Sequence, residues 1–296
     1  MPSAVDTSMT THTFTVPGAT LTYDVVGPSS EDAVPLLLIG SPMDASGFGT
    51  LASHFTDRVV VTYDPRNTGR STCEDDTAAV TAAQHADDLR ALLFELGSDT
   101  VDVFATSGGA VNALAFVAAH PGLVRTLVAH EPPAGATLPD RDHIRAVCED
   151  MVSIYDAQGS GPAMAAFIML VMHRGEVDHD YLDRPAPDPS QFGLPTDDDG
   201  SRDDPLMSNM RGGVVDFAPD VDALKASGTR IVVAVGEESG GPVDGELAGR
   251  AGYAVAALLG RDAVVFPGGH QGFCGGEFGQ TGRPVEFAAA LRSVLD

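Results

Sequence analysis

The sequence predicts an α/β fold: one mostly parallel β-sheet with helices on both faces. Short apolar, β-branched runs alternate with helical patterns along most of the 296 residues. Several of these runs end in loops rich in glycine and serine. Because ligand sites of open α/β sheets lie beyond the carboxyl ends of the strands, these loops are where a site is expected.

The chain begins with a predicted antiparallel hairpin. Residues Thr13 to Pro17 and Thr20 to Val26 alternate with period two around Pro17-Gly18. Six further strands are predicted, centred on Leu37, Val60, Val103, Leu127, Val233 and Val265. A helix between the runs centred on Val60 and Val103 is indicated by leucines at helical spacing, with Gly97 as its C-terminal signal.

A different pattern runs from residue 135 to residue 226. Helical pieces from Asp142 to Ala157 and from Pro162 to His173 are followed by a polar, proline-rich stretch over residues 178–204. We therefore predict core residues 1–134, a helical cap insertion over residues 135–226 that contains a long mobile loop, and core residues 227–296. Three methionines of this region and Met43, which follows the first parallel strand, either fill the core or line an adaptable apolar substrate pocket: Met43, Met164, Met169 and Met172.

Ser107 is the candidate nucleophile. It lies in Ala105-Thr-Ser-Gly-Gly109, directly after an apolar run and directly before a helix-like segment. A serine on such a strained strand-to-helix turn needs small neighbours, and the turn lifts its hydroxyl towards the helix N-terminus. The alternative is a plain loop that joins a strand to a helix.

Composition limits the function classes. The net charge of −25 argues against nucleic acid and against anionic membrane surfaces as partners. No stretch is long and apolar enough to span a bilayer, and Met1 to Thr13 contain no basic or apolar segment of a secretory signal. Cys73, Cys148 and Cys274 fit free thiols, so a cytoplasmic location is expected. No metal or other cofactor is predicted, and homo-oligomer formation is left open.

Four segments together resemble the α/β-hydrolase family. Ile39-Gly40-Ser41-Pro42 is similar to its His-Gly-x-Pro oxyanion loop, with Ile39 in place of histidine. Asp64-Pro-Arg-Asn-Thr-Gly-Arg-Ser71 is similar to its Asp-x-Arg-Gly-x-Gly-x-Ser turn. The elbow serine corresponds to Ser107, and the late histidine corresponds to His270 in Gly268-Gly-His-Gln-Gly272. The order and spacing of the segments carry the resemblance, which runs from about Thr13 to Leu295.

The acid that would orient His270 is the uncertain member of the predicted triad. The family usually has Asp at the position that Ser239 occupies here. Glu238 lies one residue earlier and is therefore one candidate. Some members carry the acid one strand earlier, where Glu131 follows an apolar run and precedes Pro132 and Pro133. We favour Glu131 and keep Glu238 as the alternative. Asp216, Asp220 or no acid at all complete the options.

The resemblance implies acyl transfer to water through an acyl-serine. Backbone N–H groups of Gly108 and Ser41 would form the oxyanion hole. The expected substrate is a small apolar ester, lactone, thioester or activated amide. The missing Asp and the altered oxyanion loop leave open a non-hydrolytic cyclase or isomerase of secondary metabolism. A small-molecule-binding protein on this fold is the second alternative.

Overall fold

The computed structural model describes residues 9–28 and 34–296. Residues 1–8, part of the segment without a predicted secretory signal, lie outside the described residues, as do residues 29–33. Within the described ranges, the strands are β1 (Thr10–Val16), β2 (Ala19–Val26), β3 (Leu36–Ile39), β4 (Val60–Asp64), β5 (Thr72–Cys73), β6 (Val101–Thr106), β7 (Val124–His130), β8 (Arg230–Gly236) and β9 (Val264–Phe266).

These strands form one sheet in the order β1-β2-β4-β3-β6-β7-β8-β9, and β5 pairs with β2. The pairs from β4 through β3, β6, β7 and β8 to β9 are all parallel. The hairpin of β1 and β2 is antiparallel and joins β4 in the antiparallel sense. The predicted α/β class with a mostly parallel sheet is therefore confirmed, as are the hairpin and the six strands that follow it.

Helices cover both faces of this sheet. They are α1 (Gly49–Ser53), α2 (Ala82–Leu96), α3 (Gly108–Ala119), α4 (Arg141–Gln158), α5 (Ser160–Met172), α6 (Pro205–Arg211), α7 (Val221–Ala226), α8 (Leu247–Leu258) and α9 (Pro284–Leu295). Side chains of α2, α3, α7 and α8 pack on one face, and those of α1 and α9 pack on the other. Alternate residues of β3 belong to the two cores: Leu37 to the first and Leu36 to the second. Such double burial explains why the parallel strands are predominantly apolar.

Residues 135–226, which lie between β7 and β8, are here called the insert. Its helices α4, α5 and α6 share a separate apolar cluster that includes Met151 and Tyr155. The polar stretch 178–204 contains only two short 3₁₀ turns. The last helix of the insert, α7, packs Leu224 into the core against α3 rather than into the insert cluster. No helix of the described residues is both long enough and apolar enough to cross a bilayer.

Candidate active site

Ser107 occupies the sharp turn between β6 and α3. Its backbone has φ 56° and ψ −134°, a left-handed conformation that a residue with a side chain adopts only at a cost. The Ser107 N–H donates to the His130 carbonyl at 3.0 Å, which ties the turn to the neighbouring strand β7. A Cβ atom on Gly109 would lie 2.6 Å from the Ile39 carbonyl oxygen. The turn therefore requires a residue without a side chain at this position.

Glu131 directly follows the last residue of β7, just as Ser107 directly follows β6. It is fully buried, and its backbone also has a positive φ, 48°. Its own N–H donates to the Ala234 carbonyl at 2.9 Å, and its Oε1 accepts the Gly236 N–H at 2.8 Å. Glu131 therefore belongs to the end of β7 in the chain, but its carboxylate is bound at the end of β8. This backbone anchoring leaves the other oxygen, Oε2, for a different partner.

That partner is His270. Its Nδ1 lies 2.5 Å from Glu131 Oε2, so in the neutral ring the proton sits on Nδ1 and Nε2 is left as the base. Burial opposes the charge of Glu131, but the hydrogen bond from His270 and the charges of His130 and His270 lower the pKa of Glu131 to about 2. Burial likewise lowers the pKa of His270, but the hydrogen bond and charge of Glu131 outweigh it, so that pKa is raised above 6.5.

Ser107 and His270 are not joined by a hydrogen bond within the described residues. Both residues follow the carboxyl ends of parallel strands, Ser107 after β6 and His270 after β9. Because β6, β7, β8 and β9 are successive parallel neighbours, these ends lie on the same side of the sheet. Hydrogen bonds between a nucleophile and its base are often long without substrate and tighten when substrate binds. The structure therefore joins Glu131 to His270 directly and places Ser107 at the same strand edge.

None of the other candidate acids is hydrogen-bonded to His270 among the described residues, although Glu238 lies beside the loop that carries it. Glu238 follows β8, and no hydrogen bond between its carboxylate and His270 is present among the described residues; its carbonyl oxygen accepts from Arg174 at 2.8 Å. Asp216 accepts from Arg145 at 2.9 Å, and Asp220 caps α7 by accepting the Ala223 N–H at 3.0 Å. Ser239, at the family's usual Asp position, is fully buried.

Ser41 and Gly108, the predicted oxyanion donors, lie against each other. A Cβ atom on Gly108 would be 2.6 Å from the Ser41 carbonyl oxygen, so glycine permits this approach. The loop that follows Ser41 is held by Asp64, whose carboxylate accepts the Ala45 N–H at 2.9 Å and the Arg70 N–H at 2.9 Å. The turn from Asp64 to Ser71 therefore supports the predicted oxyanion loop.

The four methionines of the predicted pocket have different surroundings. Met43 packs against the glycines of its own loop and against the core face that carries α1 and α9. Met164 is partly buried against the insert cluster. Met169 and Met172 on α5 are 44% and 65% exposed. Met43 is therefore the one that belongs to the predicted oxyanion loop itself.

Sequence reasoning missed two residues beside the site, His85 and Asn209. Both are buried, and a hydrogen bond joins them, with a second one from Asn209 to Ser41. Asn209 lies on α6, whose start is marked by Asp204 followed by Pro205, a cap residue and a first-turn proline. That signal could have placed a helix here, but nothing local reveals that Asn209 reaches Ser41.

His130 is a buried neighbour of His270. Their ring centroids are 6.2 Å apart, and Thr106 Oγ1 lies 3.1 Å from His130 Nδ1. Burial lowers the pKa of His130 to about 4, so the ring is neutral near pH 7. Among the described residues, no group of three or more His, Cys, Asp or Glu side chains is arranged to hold a metal ion.

Comparison with known proteins agrees with this architecture. The sequence model of the alpha/beta hydrolase fold family matches residues 39–193, which is just over half of the chain. The chain belongs to the α/β-hydrolase family. It is 35% identical over 121 residues to a protein of Bacillus subtilis (strain 168) named uncharacterized hydrolase YraK, a match over 40% of this chain and 44% of that protein. The chain thus covers less than half the length of this curated relative.

Solved structures of this α/β-hydrolase fold superpose over nearly the whole chain. A thermophilic esterase from Thermogutta terrifontis has a TM-score of 0.67 and 20% identity, covering 97% of this chain and 98% of the esterase. The enol-lactonase from Burkholderia xenovorans LB400 has a TM-score of 0.66 and 17% identity, covering 96% of this chain and 99% of the lactonase. At such identities the likeness concerns the fold.

Proposed function

We propose that this α/β-hydrolase family member is a serine hydrolase that cleaves an ester, lactone, thioester or activated amide of a small apolar substrate. The observation that carries the proposal is the hydrogen bond of 2.5 Å between Glu131 and His270, at the strand edge where Ser107 occupies its strained turn. A serine hydroxyl is a weak nucleophile without a base, and the base needs an acid that orients it.

In the proposed reaction, His270 Nε2 takes the proton of Ser107 as its Oγ attacks the carbonyl carbon. The tetrahedral oxyanion is bound by the backbone N–H groups of Gly108 and Ser41. His270 returns the proton to the leaving group, and an acyl-serine remains. Water, deprotonated by His270, then attacks the acyl carbon, the bond to Ser107 Oγ breaks, and His270 returns the proton to that oxygen as the acid product leaves. Throughout the cycle, the Glu131 carboxylate stabilises the imidazolium that forms twice.

The substrate class is supported by the relatives and by charge. Two structural relatives are named as an esterase and an enol-lactonase. The surroundings of His270 are acidic, since Glu131 and Glu246 both raise its pKa and the whole chain has a net charge of −25. Neutral or cationic substrates therefore fit this site better than anionic ones. We also propose that the insert acts as a cap that limits substrate size.

Turnover of short p-nitrophenyl esters and of simple lactones tests the proposal. We expect turnover by the wild-type protein and its loss in Ser107→Ala, with Ser293→Ala as a control because Ser293 on α9 is exposed and bonds only the Ala290 carbonyl within the described residues. If both variants keep wild-type turnover, Ser107 is not the nucleophile. If the wild-type protein cleaves none of these substrates, a non-hydrolytic or binding role takes its place.

A further inference from the structure

A buried chain of side chains ends at the oxyanion loop. His85 of α2 lies with Nε2 2.9 Å from Asn209 Oδ1, and Asn209 Nδ2 of α6 donates to Ser41 Oγ at 3.1 Å. The exposed fractions are 2% for His85, 6% for Asn209 and 3% for Ser41. The three residues come from the core, the insert and the oxyanion loop. None of them is part of the triad proposed above.

The direction of the hydrogen bonds in this chain follows from the state of His85. Burial lowers the pKa of His85 to about 4, so the ring is neutral and carries one N–H. Its Nδ1 has no partner among the described residues. If Nδ1 carried the proton, a buried N–H would be unpaired; if Nε2 carries it, only a lone pair is unpaired, which is the smaller penalty. Nε2–H therefore donates to Asn209, and Asn209 donates to Ser41.

The Ser41 hydroxyl is then an acceptor from Asn209 with its own proton left to donate. Its Oγ has no second partner among the described residues. The Ser41 Cβ lies 3.5 Å from the position that a Cβ atom on Gly108 would occupy. Gly108 follows the nucleophile and supplies one of the two proposed oxyanion donors. The free hydroxyl proton is thus on a side chain that lies against the proposed oxyanion hole.

We propose that the Ser41 hydroxyl is a third donor to the oxyanion and that Asn209, held by His85, is the positioning residue that aims it. This inference rests on the proposed acyl-transfer function. No proton changes place in the chain: each donor keeps its proton, and aligned donors polarise one another. The hydrogen bond to the substrate strengthens as the carbonyl oxygen becomes an anion, so it lowers the barrier rather than tightening ground-state binding.

The position of Asn209 is held by contacts of α6 with the core. The Asp204 carboxylate caps α6 by accepting the Leu206 and Met207 N–H groups at 2.8 and 3.1 Å. The Val80 N–H donates to the Ser208 carbonyl at 3.0 Å, just before α2. The insert therefore contributes to the oxyanion hole through one amide group, in addition to any role as a cap.

Kinetics of Ser41→Ala and Asn209→Leu test the inference. We expect kcat to fall on the order of 10²-fold in Ser41→Ala, about the loss for one oxyanion donor, with KM unchanged. Asn209→Leu is expected to lower kcat by a smaller factor, again with KM unchanged. Ser208→Ala is the matched control on α6, because its buried hydroxyl has no partner among the described residues and we expect wild-type kinetics.

The double variant separates positioning from general damage. If Asn209 acts through Ser41, Ser41→Ala with Asn209→Leu will be no slower than Ser41→Ala alone. Ser41→Thr keeps a hydroxyl and is expected to recover part of the lost kcat. Equal kcat in wild type and Ser41→Ala would overturn the inference, as would independent, multiplying losses in the double variant. Retained turnover in Ser107→Ala would instead reject the proposed function, so the two failures are distinguishable.

Discussion

At the scale of single residues, the position of Glu131 explains how the proposed triad can have an acid without the usual aspartate. Ser239 stands where the family commonly has Asp, at the end of β8. Glu131 starts one strand earlier, yet its carboxylate accepts the Gly236 N–H at the end of β8 and the His270 Nδ1 proton. The longer glutamate side chain and its positive φ of 48° allow it to span that gap.

Replacing Glu131 by Gln is expected to lower kcat by roughly 10⁴-fold, as the comparable change in serine proteases does. An amide cannot stabilise the imidazolium, and it favours the wrong tautomer of His270. Steady-state kinetics on a p-nitrophenyl ester, together with circular dichroism to verify folding, measure this. Glu238→Gln is the control and should retain most of the activity. Equal losses in the two variants would contradict the role of Glu131.

The pH dependence of kcat/KM follows from the raised pKa of His270. His270 must be neutral to act as a base, so activity rises as the pH rises through its pKa. Because Glu131 raises that pKa, we expect the acid limb to have its midpoint above 6.5. In Glu131→Gln the residual activity should show a lower midpoint, since the negative charge is gone. A wild-type midpoint at or below 6.5 would be inconsistent with the Glu131–His270 pair.

At the scale of elements, helix α2 is held by a buried ion pair. Arg66, in the turn after β4, makes two hydrogen bonds of 2.5 and 2.7 Å to Asp88 on α2. Both side chains are almost fully buried. The same helix carries His85, so this pair also supports the chain of hydrogen bonds that leads to Ser41.

Arg66→Met is therefore expected to reduce the free energy of unfolding by about 3–5 kcal/mol, because it leaves the Asp88 carboxylate buried and unpaired. Urea denaturation measures the change. Arg90→Met on the exposed side of α2 is the matched control, with an expected change within about 0.5 kcal/mol. A change of that small size in Arg66→Met as well would mean that the pair does not stabilise α2.

The sequence predicts these elements to different extents. Strand β6 is predictable from its mostly apolar, β-branched run before a turn, and helix α2 is predictable from the regular spacing of its leucines. Strand β5 was not predicted, since its two residues are too few to show a period. Helices α6 and α7, of seven and six residues, were not predicted for the same reason.

The candidate site shows the same division. Ser107 and His270 are marked by local turns, which a sequence displays directly. The choice between Glu131 and Glu238 depends on which carboxylate reaches His270, a contact between residues 139 positions apart. Asn209 reaches Ser41 across 168 positions, and no local pattern predicts such a contact.

At the scale of the whole molecule, a second buried ion pair joins the insert to the core. Arg250 on α8 donates to Asp140, just before α4, at 2.7 and 3.1 Å, and both side chains are almost fully buried. Arg250 also donates to the Gly175 carbonyl at 2.6 Å, and Asp140 accepts the Val177 N–H at 2.7 Å. These contacts connect both ends of the α4–α5 hairpin to the core.

Arg250→Met should lower the free energy of unfolding by about 3–5 kcal/mol, because the buried Asp140 loses its partner. Replacing both residues, Arg250→Met with Asp140→Leu, should restore part of that loss. Arg145→Met breaks an exposed pair with Asp216 in the same insert and should cost no more than about 1 kcal/mol. Thermal and urea unfolding of the wild-type protein and the three variants measure these changes. Equal stability of Arg145→Met and Arg250→Met would refute this account.

The most direct test of the central claim is to trap the acyl-enzyme. The wild-type protein is mixed with excess p-nitrophenyl acetate, quenched in acid within the first turnovers, and analysed by intact and peptide mass spectrometry. We predict one added acetyl group, located on Ser107, with no adduct on that peptide in Ser107→Ala and a slow, small amount in Glu131→Gln. Hydrolysis that continues without any acyl group on Ser107, or with one on another residue, would contradict the account.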